Sequence, residues 1–159
     1  MSQRLDYAKT SPGASRALYG LEQYLETCGL DPKLLDLVRL RASQINGCAF
    51  CIDMHWKDLR AAGESESRLY WLDAWRESPG YSEREQAALA WTEAVTLVAA
   101  SHVPDEVYEQ ARRQFNEKEL VDLTLAIDAI NSWNRMSIAF RKDAGEYQPK
   151  ARQTLKKGA

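Results

Sequence analysis

Apolar and polar positions alternate along this chain with a helical period almost from end to end, in segments punctuated by proline, glycine and short polar residues. Ser11-Pro12 reads as an N-cap followed by a proline at the first helical position, and Leu18, Leu21, Leu25 and Cys28 then recur at i, i+3, i+7 and i+10. The spacing predicts a first helix that Gly29 closes in the left-handed conformation. Asp31-Pro32 opens a second helix, with Leu34, Leu37, Val38, Arg41 and Ile45 on its inner side, Asp36 also on it, and Asn46-Gly47 as its end. A third runs from the cysteine pair to Gly63. A short fourth starts at Ser65 or Ser67, carries Trp71 and Trp75 at i and i+4, and closes at Ser78-Pro79-Gly80. Ser82-Glu83-Arg84-Glu85 is a capping box for a fifth helix reaching Ala100, Pro104-Asp105-Glu106 opens a sixth, and Asn116-Glu117-Lys118-Glu119 caps a long seventh.

In that last helix Leu120, Leu123, Ile127 and Ile130 run at helical spacing into Asn134, and an amide on a buried stripe needs hydrogen-bond partners. No β-alternation of useful length, Gly-rich phosphate loop or internal repeat occurs. The expected fold is therefore all-α, one helical domain over residues 1–142 built as a bundle of about six to seven helices. A basic tail follows over 143–159, where Lys150, Arg152, Lys156 and Lys157 read as a solvated end.

Composition narrows the function. At 159 residues, 45% apolar and 28% charged, the chain is one ordinary globular domain, large enough for a core without covalent staples. A formal net charge of −2 argues against a nucleic-acid surface. No apolar run approaches a membrane span, and the first residues, Met1-Ser2-Gln3-Arg4-Leu5-Asp6, lack the apolar core of a signal peptide, so the expected location is cytoplasmic, with no membrane partner. Three cysteines in a reducing compartment do not make a disulfide framework, and a Cys-x-x-Cys pair there reads as metal-binding or catalytic.

That pair lies in Gln44-Ile45-Asn46-Gly47-Cys48-Ala49-Phe50-Cys51-Ile52-Asp53-Met54-His55. At about 100° per residue, Cys48, Cys51 and His55 fall at roughly 0°, 300° and 340°, one row along a helix. The turn at Asn46-Gly47 puts the cysteines in the first helical turn, where unpaired N–H groups and the positive end of the dipole favour a thiolate. His55, four residues after Cys51, is placed to serve as its base or hydrogen-bond partner. The row continues into Leu59 and Ala62, with Asp53, Lys57, Arg60 and Glu64 on the opposite, wet face.

Three other readings compete. A structural zinc would need a fourth ligand, for which only Cys28 and His102 are spare. Covalent haem attachment requires His directly after the second Cys, where Ile52 stands. The third is two core cysteines beside a satisfied core histidine, as Cys28 itself reads as a small core hydrophobe and His102 as a loop residue. Five tryptophans, with Asn131 and Asn134 on an apolar helix, point to a homo-oligomer.

Residues 45–55, with Leu37-Val38-Arg39-Leu40-Arg41 before them, resemble the alkylhydroperoxidase AhpD core of the carboxymuconolactone decarboxylase superfamily. The resemblance extends through Glu83–Ala90, Val103–Tyr108 and Ile130–Arg135, and so covers roughly residues 15 to 141. It implies an all-α homo-oligomer, trimer or hexamer, that reduces peroxides with a vicinal dithiol and no bound cofactor or metal. It also implies a relay of an acid, two cysteines and a histidine. The acid, twelve positions before the first cysteine, is Asp36 here, where the family usually has Glu; the shorter side chain loses about 1.5 Å of reach. Ala49-Phe50 stands where some peroxidase members carry a histidine between the cysteines.

The mechanism this implies has His55, oriented by Asp36, accept the Cys51 proton. The Cys51 thiolate attacks the peroxide and becomes a sulfenic acid, Cys48 condenses with it to a disulfide, and an external lipoyl or thioredoxin-like dithiol regenerates the pair through the more exposed sulfur. That exposed role is assigned to Cys48, nearer the helix start. The rival classes are a superfamily lyase of the carboxymuconolactone decarboxylase type, whose branch does not rely on a Cys-x-x-Cys pair, and a non-catalytic oligomeric or metal-holding protein.

Overall fold

Every segment expected from the periodicity is helical in the computed structural model, which describes residues 2–149. Lys150, Arg152, Lys156 and Lys157 of the tail lie outside the described residues. The helices are α1 (Tyr7–Thr10), α2 (Pro12–Leu25), α3 (Pro32–Asn46), α4 (Ala49–Ala61), α5 (Glu66–Tyr70), a 3₁₀ helix (Leu72–Glu77), α6 (Glu83–Thr96), α7 (Val98–Ser101), α8 (Asp105–Gln114) and α9 (Glu117–Phe140), with no strand among the described residues. The additions to the expected set are short. The one-turn α1 is capped by the Asp6 carboxylate, which accepts from the Ala8 and Lys9 N–H groups, so the cysteine helix is α4 in chain order. The expected fourth helix divides into α5 and the 3₁₀ helix, and the fifth breaks at Leu97 into α6 and α7.

The capping signals act as read at three starts. Asp31 accepts from Lys33 N–H ahead of Pro32, and both capping boxes close, Ser82 with Glu85 and Asn116 with Glu119. Two expectations fail locally. The Ser11 hydroxyl makes no cap, and α2 ends at Leu25, four residues short of Gly29, which is left-handed in the following turn.

α3 organises the interior, packing against α4, α6 and α9. Leu34 to Val38 are buried without a break, so α3 has no wet side there and Asp36 is carried into the core. One cluster joins α2, α3, α6, α8 and α9 through Leu25, Leu35, Val38, Ala88, Phe115, Leu123 and Ile127. A second joins α3, α4, α6 and the 3₁₀ helix through Leu37, Leu40, Leu59, Leu72, Trp75 and Leu89. Each such leucine contributes about 1.5–3 kcal/mol by leaving water. Trp75 is a core residue, its Nε1 donating to Glu93, whereas Trp71 is exposed. The cysteines form a third, small cluster with Ala42 and Ile130. No helix among the described residues is long and apolar enough to cross a membrane.

Candidate active site

The end of α3 and the start of α4 are one local structure. Gly47 takes φ 68° and ψ 33°, a left-handed conformation that costs a glycine little, and the Gly47 and Cys48 N–H groups donate back to Gln44 and Ser43 carbonyls. The chain then turns directly into α4 with Cys48 as its N-cap residue and Cys51 in its first turn. Cys48, Cys51 and His55 are all buried, each cysteine only 1% exposed.

The two thiols are free and hydrogen-bonded to each other. The Cys51 thiol, with Asn134 and Ser137 helping, holds Cys48 well below the ordinary thiol range, at about 7. The same hydrogen bond, together with burial and the Cys48 charge, pushes Cys51 above that range. Such a pair titrates as a unit: it releases one proton near neutrality and retains the second. Cys51 Sγ also donates to Ser137 Oγ at 3.9 Å, and the Ser137 hydroxyl lies 3.5 Å from the Tyr7 hydroxyl. Burial raises Tyr7, which is therefore a neutral phenol at physiological pH.

A cavity of about 860 Å³ opens onto this pair from one side. Cys51, His55 and Asp36 line it together with Tyr7, Tyr19, Phe50, Met54, Trp133 and Ser137; Cys48 does not. This corrects the assignment of the exposed sulfur to Cys48. Both cysteines pack with Ala42 and Ile130, and of the two only the residue one turn on from the N-cap position also borders the open space. Asp36, 2% exposed, brings Oδ1 to 3.7 Å from His55 Nδ1, close enough for attraction and beyond hydrogen-bond length. Neither His55 ring nitrogen has a hydrogen-bond partner among the described residues.

The amides on α9 find their partners inside the chain. Asn46 Nδ2 donates to the Oδ1 atoms of Asn131 and Asn134, both at 2.9 Å; Asn134 Nδ2 donates to Ser43 Oγ and Asn131 Nδ2 to Thr96 Oγ1. They pin the end of α3 to α9 behind the thiols, and so do not argue for a subunit interface.

Sequence reasoning missed several wall residues. Ser137 continues the Ile130–Asn134 stripe by three, and Arg39 is three residues from Asp36, so both could have been read from helical spacing. Nothing in the pattern flagged Glu22, Trp133 or Lys142, whose ammonium lies 3.8 Å from the Phe50 ring centre. The expected wet face of α4 is partly covered. Lys57 donates to Asp53 and to the Gly145 and Tyr147 carbonyls, Gly145 N–H donates to Asp53, and the Tyr147 hydroxyl donates to Asp58. Among the described residues no group of three or more His, Cys, Asp or Glu side chains is placed to hold a metal ion.

Comparison with known proteins then decides the family. Residues 12–94 match the model of the carboxymuconolactone decarboxylase family. The chain belongs to that family. It is 45% identical over 139 residues to the uncharacterized YdfG of Bacillus subtilis, spanning 87% of this chain and 95% of that protein. A crystal structure from Agrobacterium tumefaciens, of a protein of unknown function suggested to be an antioxidant defence protein AhpD, is 46% identical with a TM-score of 0.88, over 91% of this chain and 99% of that one. The family member has the AhpD-like helical fold. The same fold, at 19% identity and a TM-score of 0.75, occurs in the debrominase Bmp8, covering 87% of this chain and 74% of that one.

Proposed function

We propose that this family member is a thiol-dependent peroxidase that reduces hydroperoxides with Cys51 and Cys48. The observation that carries the reading is the division of labour in the pair: Cys51 stands on the cavity wall beside His55, and Cys48 is hydrogen-bonded behind it. His55 takes the proton that the pair releases near neutrality, and the imidazolium is stabilised by the Asp36 carboxylate. The retained proton passes from Cys51 to Cys48 within the pair, which leaves the negative charge on Cys51, and the Cys51 sulfur attacks the distal peroxide oxygen. The O–O bond breaks, Cys51 becomes a sulfenic acid, and His55 returns its proton to the departing alkoxide, releasing an alcohol. Cys48 then attacks the sulfenic sulfur and water leaves, forming a disulfide. A lipoyl- or thioredoxin-like dithiol supplies the two electrons that restore both thiols. Because Cys51 faces the cavity, that dithiol attacks the Cys51 sulfur first.

The reading is tested by following consumption of cumene hydroperoxide in the presence of dihydrolipoamide. Wild-type protein should turn over, and Cys51→Ser should not. Equal rates for the two would remove the reading and favour a lyase or non-catalytic role. Assembly as a trimer or hexamer in the cytoplasm belongs to the same proposal, supported by the exposed Tyr70, Trp71, Leu97 and Val98. A monomeric mass by light scattering at micromolar concentration, unchanged on dilution, would overturn that part.

A further inference from the structure

Among the charged side chains on the cavity wall that have no part in the reaction as described are Glu22 on α2 and Arg39 on α3. The Arg39 side chain is only 13% exposed, and its guanidinium is divided between two carboxylates. Nη2 donates to Glu22 Oε2 at 2.7 Å, and Nη1 donates to Asp36 Oδ1 at 3.3 Å. That Asp36 oxygen is the one 3.7 Å from His55 Nδ1. Glu22 is fixed in turn by a third helix, since its Oε1 accepts from Trp133 Nε1 at 3.1 Å. The side chains of Trp133, Glu22, Arg39, Asp36 and His55 thus form one connected series across α9, α2, α3 and α4, all on the wall of the same cavity.

We infer that Glu22 and Arg39 are positioning residues, and that Glu22, by holding the Arg39 guanidinium off Asp36, sets how strongly Asp36 acts on His55. This rests on the peroxidase reading for its purpose and not for its geometry. A guanidinium seated squarely on Asp36 would cancel most of the charge that His55 meets there. The distances show the guanidinium nearer to Glu22 by 0.6 Å, the difference between 3.3 and 2.7 Å, so Glu22 holds it more firmly than Asp36 does. When His55 receives the thiol proton, the imidazolium competes with Arg39 for the same Asp36 oxygen. Arg39 can yield it without becoming an unpaired buried cation, because Glu22 still compensates its charge. Proton transfer then needs only a small displacement of one side chain.

The readout is the pH at which Cys51 becomes reactive. Among the described residues, the other titratable side chains facing the cavity are Glu26, Asp58, Lys142, Tyr7, Tyr19 and Tyr147, and they stay the same in every variant. In a Cys28→Ser background, the rate of alkylation by iodoacetamide is measured against pH for the parent, Glu22→Gln, Arg39→Met and the double variant. Glu22→Gln releases the guanidinium onto Asp36, so its midpoint should rise by about 0.5–1 pH unit. Arg39→Met removes the guanidinium that competes with His55 for Asp36, so its midpoint should fall. Because Glu22 acts through Arg39, Glu22→Gln should add nothing once Arg39 is methionine. Equal shifts from Glu22→Gln with and without Arg39, or slower reaction at an unmoved midpoint, would overturn the inference. If Arg39→Met does not fold, Arg39→Gln, neutral and polar, takes its place with the same expectations. Alkylation needs no peroxide. A parent that alkylates with these shifts but ignores hydroperoxide removes the peroxidase reading alone, and unmoved midpoints in an active peroxidase remove this inference alone.

Discussion

Cys48 and Cys51 share a hydrogen bond and are equally buried, yet only Cys51 borders the cavity. On the proposed peroxidase reading, an oxidant entering the cavity meets Cys51, and Cys48, one helical turn away, resolves it. One equivalent of hydroperoxide should therefore remove two thiols per chain and give an intramolecular Cys48–Cys51 disulfide, with Cys28 still free. In Cys48→Ser, oxidation should stop at a dimedone-reactive sulfenic acid on Cys51. Peptide mass spectrometry decides both, and sulfenic acid on Cys48 in a Cys51→Ser protein of undiminished rate would reverse the order.

The displaced thiol titrations also make stability depend on pH. Cys48 is lowered from 9.0 to about 7 by its hydrogen bond to Cys51, while Cys51 is pushed up by the same bond and by burial. Between about pH 7 and 9 the unfolded chain holds both protons and the folded chain one, so stability should rise with pH by about 1–3 kcal/mol. Above pH 9 the unfolded chain holds neither and the folded chain still one, so this contribution should fall again. Urea unfolding under reducing conditions at several pH values, with the Cys48→Ser/Cys51→Ser protein subtracted as reference, should show a maximum near pH 9. A flat difference would mean that folding leaves the thiol titrations unshifted.

Asn134 ties this electrostatics to the scaffold. It is fully buried, accepts from Asn46, donates to Ser43 and helps hold Cys48 down. Asn134→Leu keeps the volume and removes the polar groups, leaving the buried Ser43 hydroxyl without that donor. It should cost about 2–3 kcal/mol in urea unfolding, and it should move the alkylation midpoint of the thiol pair upward. Loss of stability with an unmoved midpoint would make Asn134 a scaffold residue only.

The sequence was most informative where one element carries the whole signal. The row of Cys48, Cys51 and His55 lies on a single helix behind a glycine turn, so helical spacing suffices to place it. The family resemblance was equally local, concentrated in residues 45–55. Which sulfur faces open space was not legible, because it depends on how α4 meets Ala42 and Ile130, residues on other helices. The same holds for Glu22 and Arg39, 17 residues apart, which become partners only when α2 and α3 pack. Burial of Asp36 was hidden for a different reason: α3 is covered on all sides from Leu34 to Val38, and a helix buried all round loses the polar stripe that periodicity detects.

Asp36 itself offers the sharpest test of reach against charge. Its Oδ1 is 3.7 Å from His55 Nδ1, about 0.5–1 Å too long for a good N–H···O bond. Glutamate adds one methylene, about 1.5 Å of reach, enough to close that gap from the same position on α3. If the distance limits proton transfer, Asp36→Glu should raise the rate of peroxide-dependent thiol loss at pH 7 by a few-fold and lower its pH midpoint, since a direct hydrogen bond favours the imidazolium more than attraction at a distance. Asp36→Asn should do the reverse: without the charge, the reaction slows at neutral pH and recovers as pH rises and hydroxide takes over the work of the acid–imidazole pair. Arg39 adds a constraint, because the longer carboxylate also moves relative to the guanidinium 3.3 Å from Oδ1. A slower Asp36→Glu protein whose midpoint is nonetheless lowered would therefore mean that reach was gained at the cost of cavity shape. Superimposable pH profiles for aspartate, glutamate and asparagine would remove Asp36 from the relay and leave the thiol–thiol hydrogen bond and the start of α4 to activate Cys51 alone.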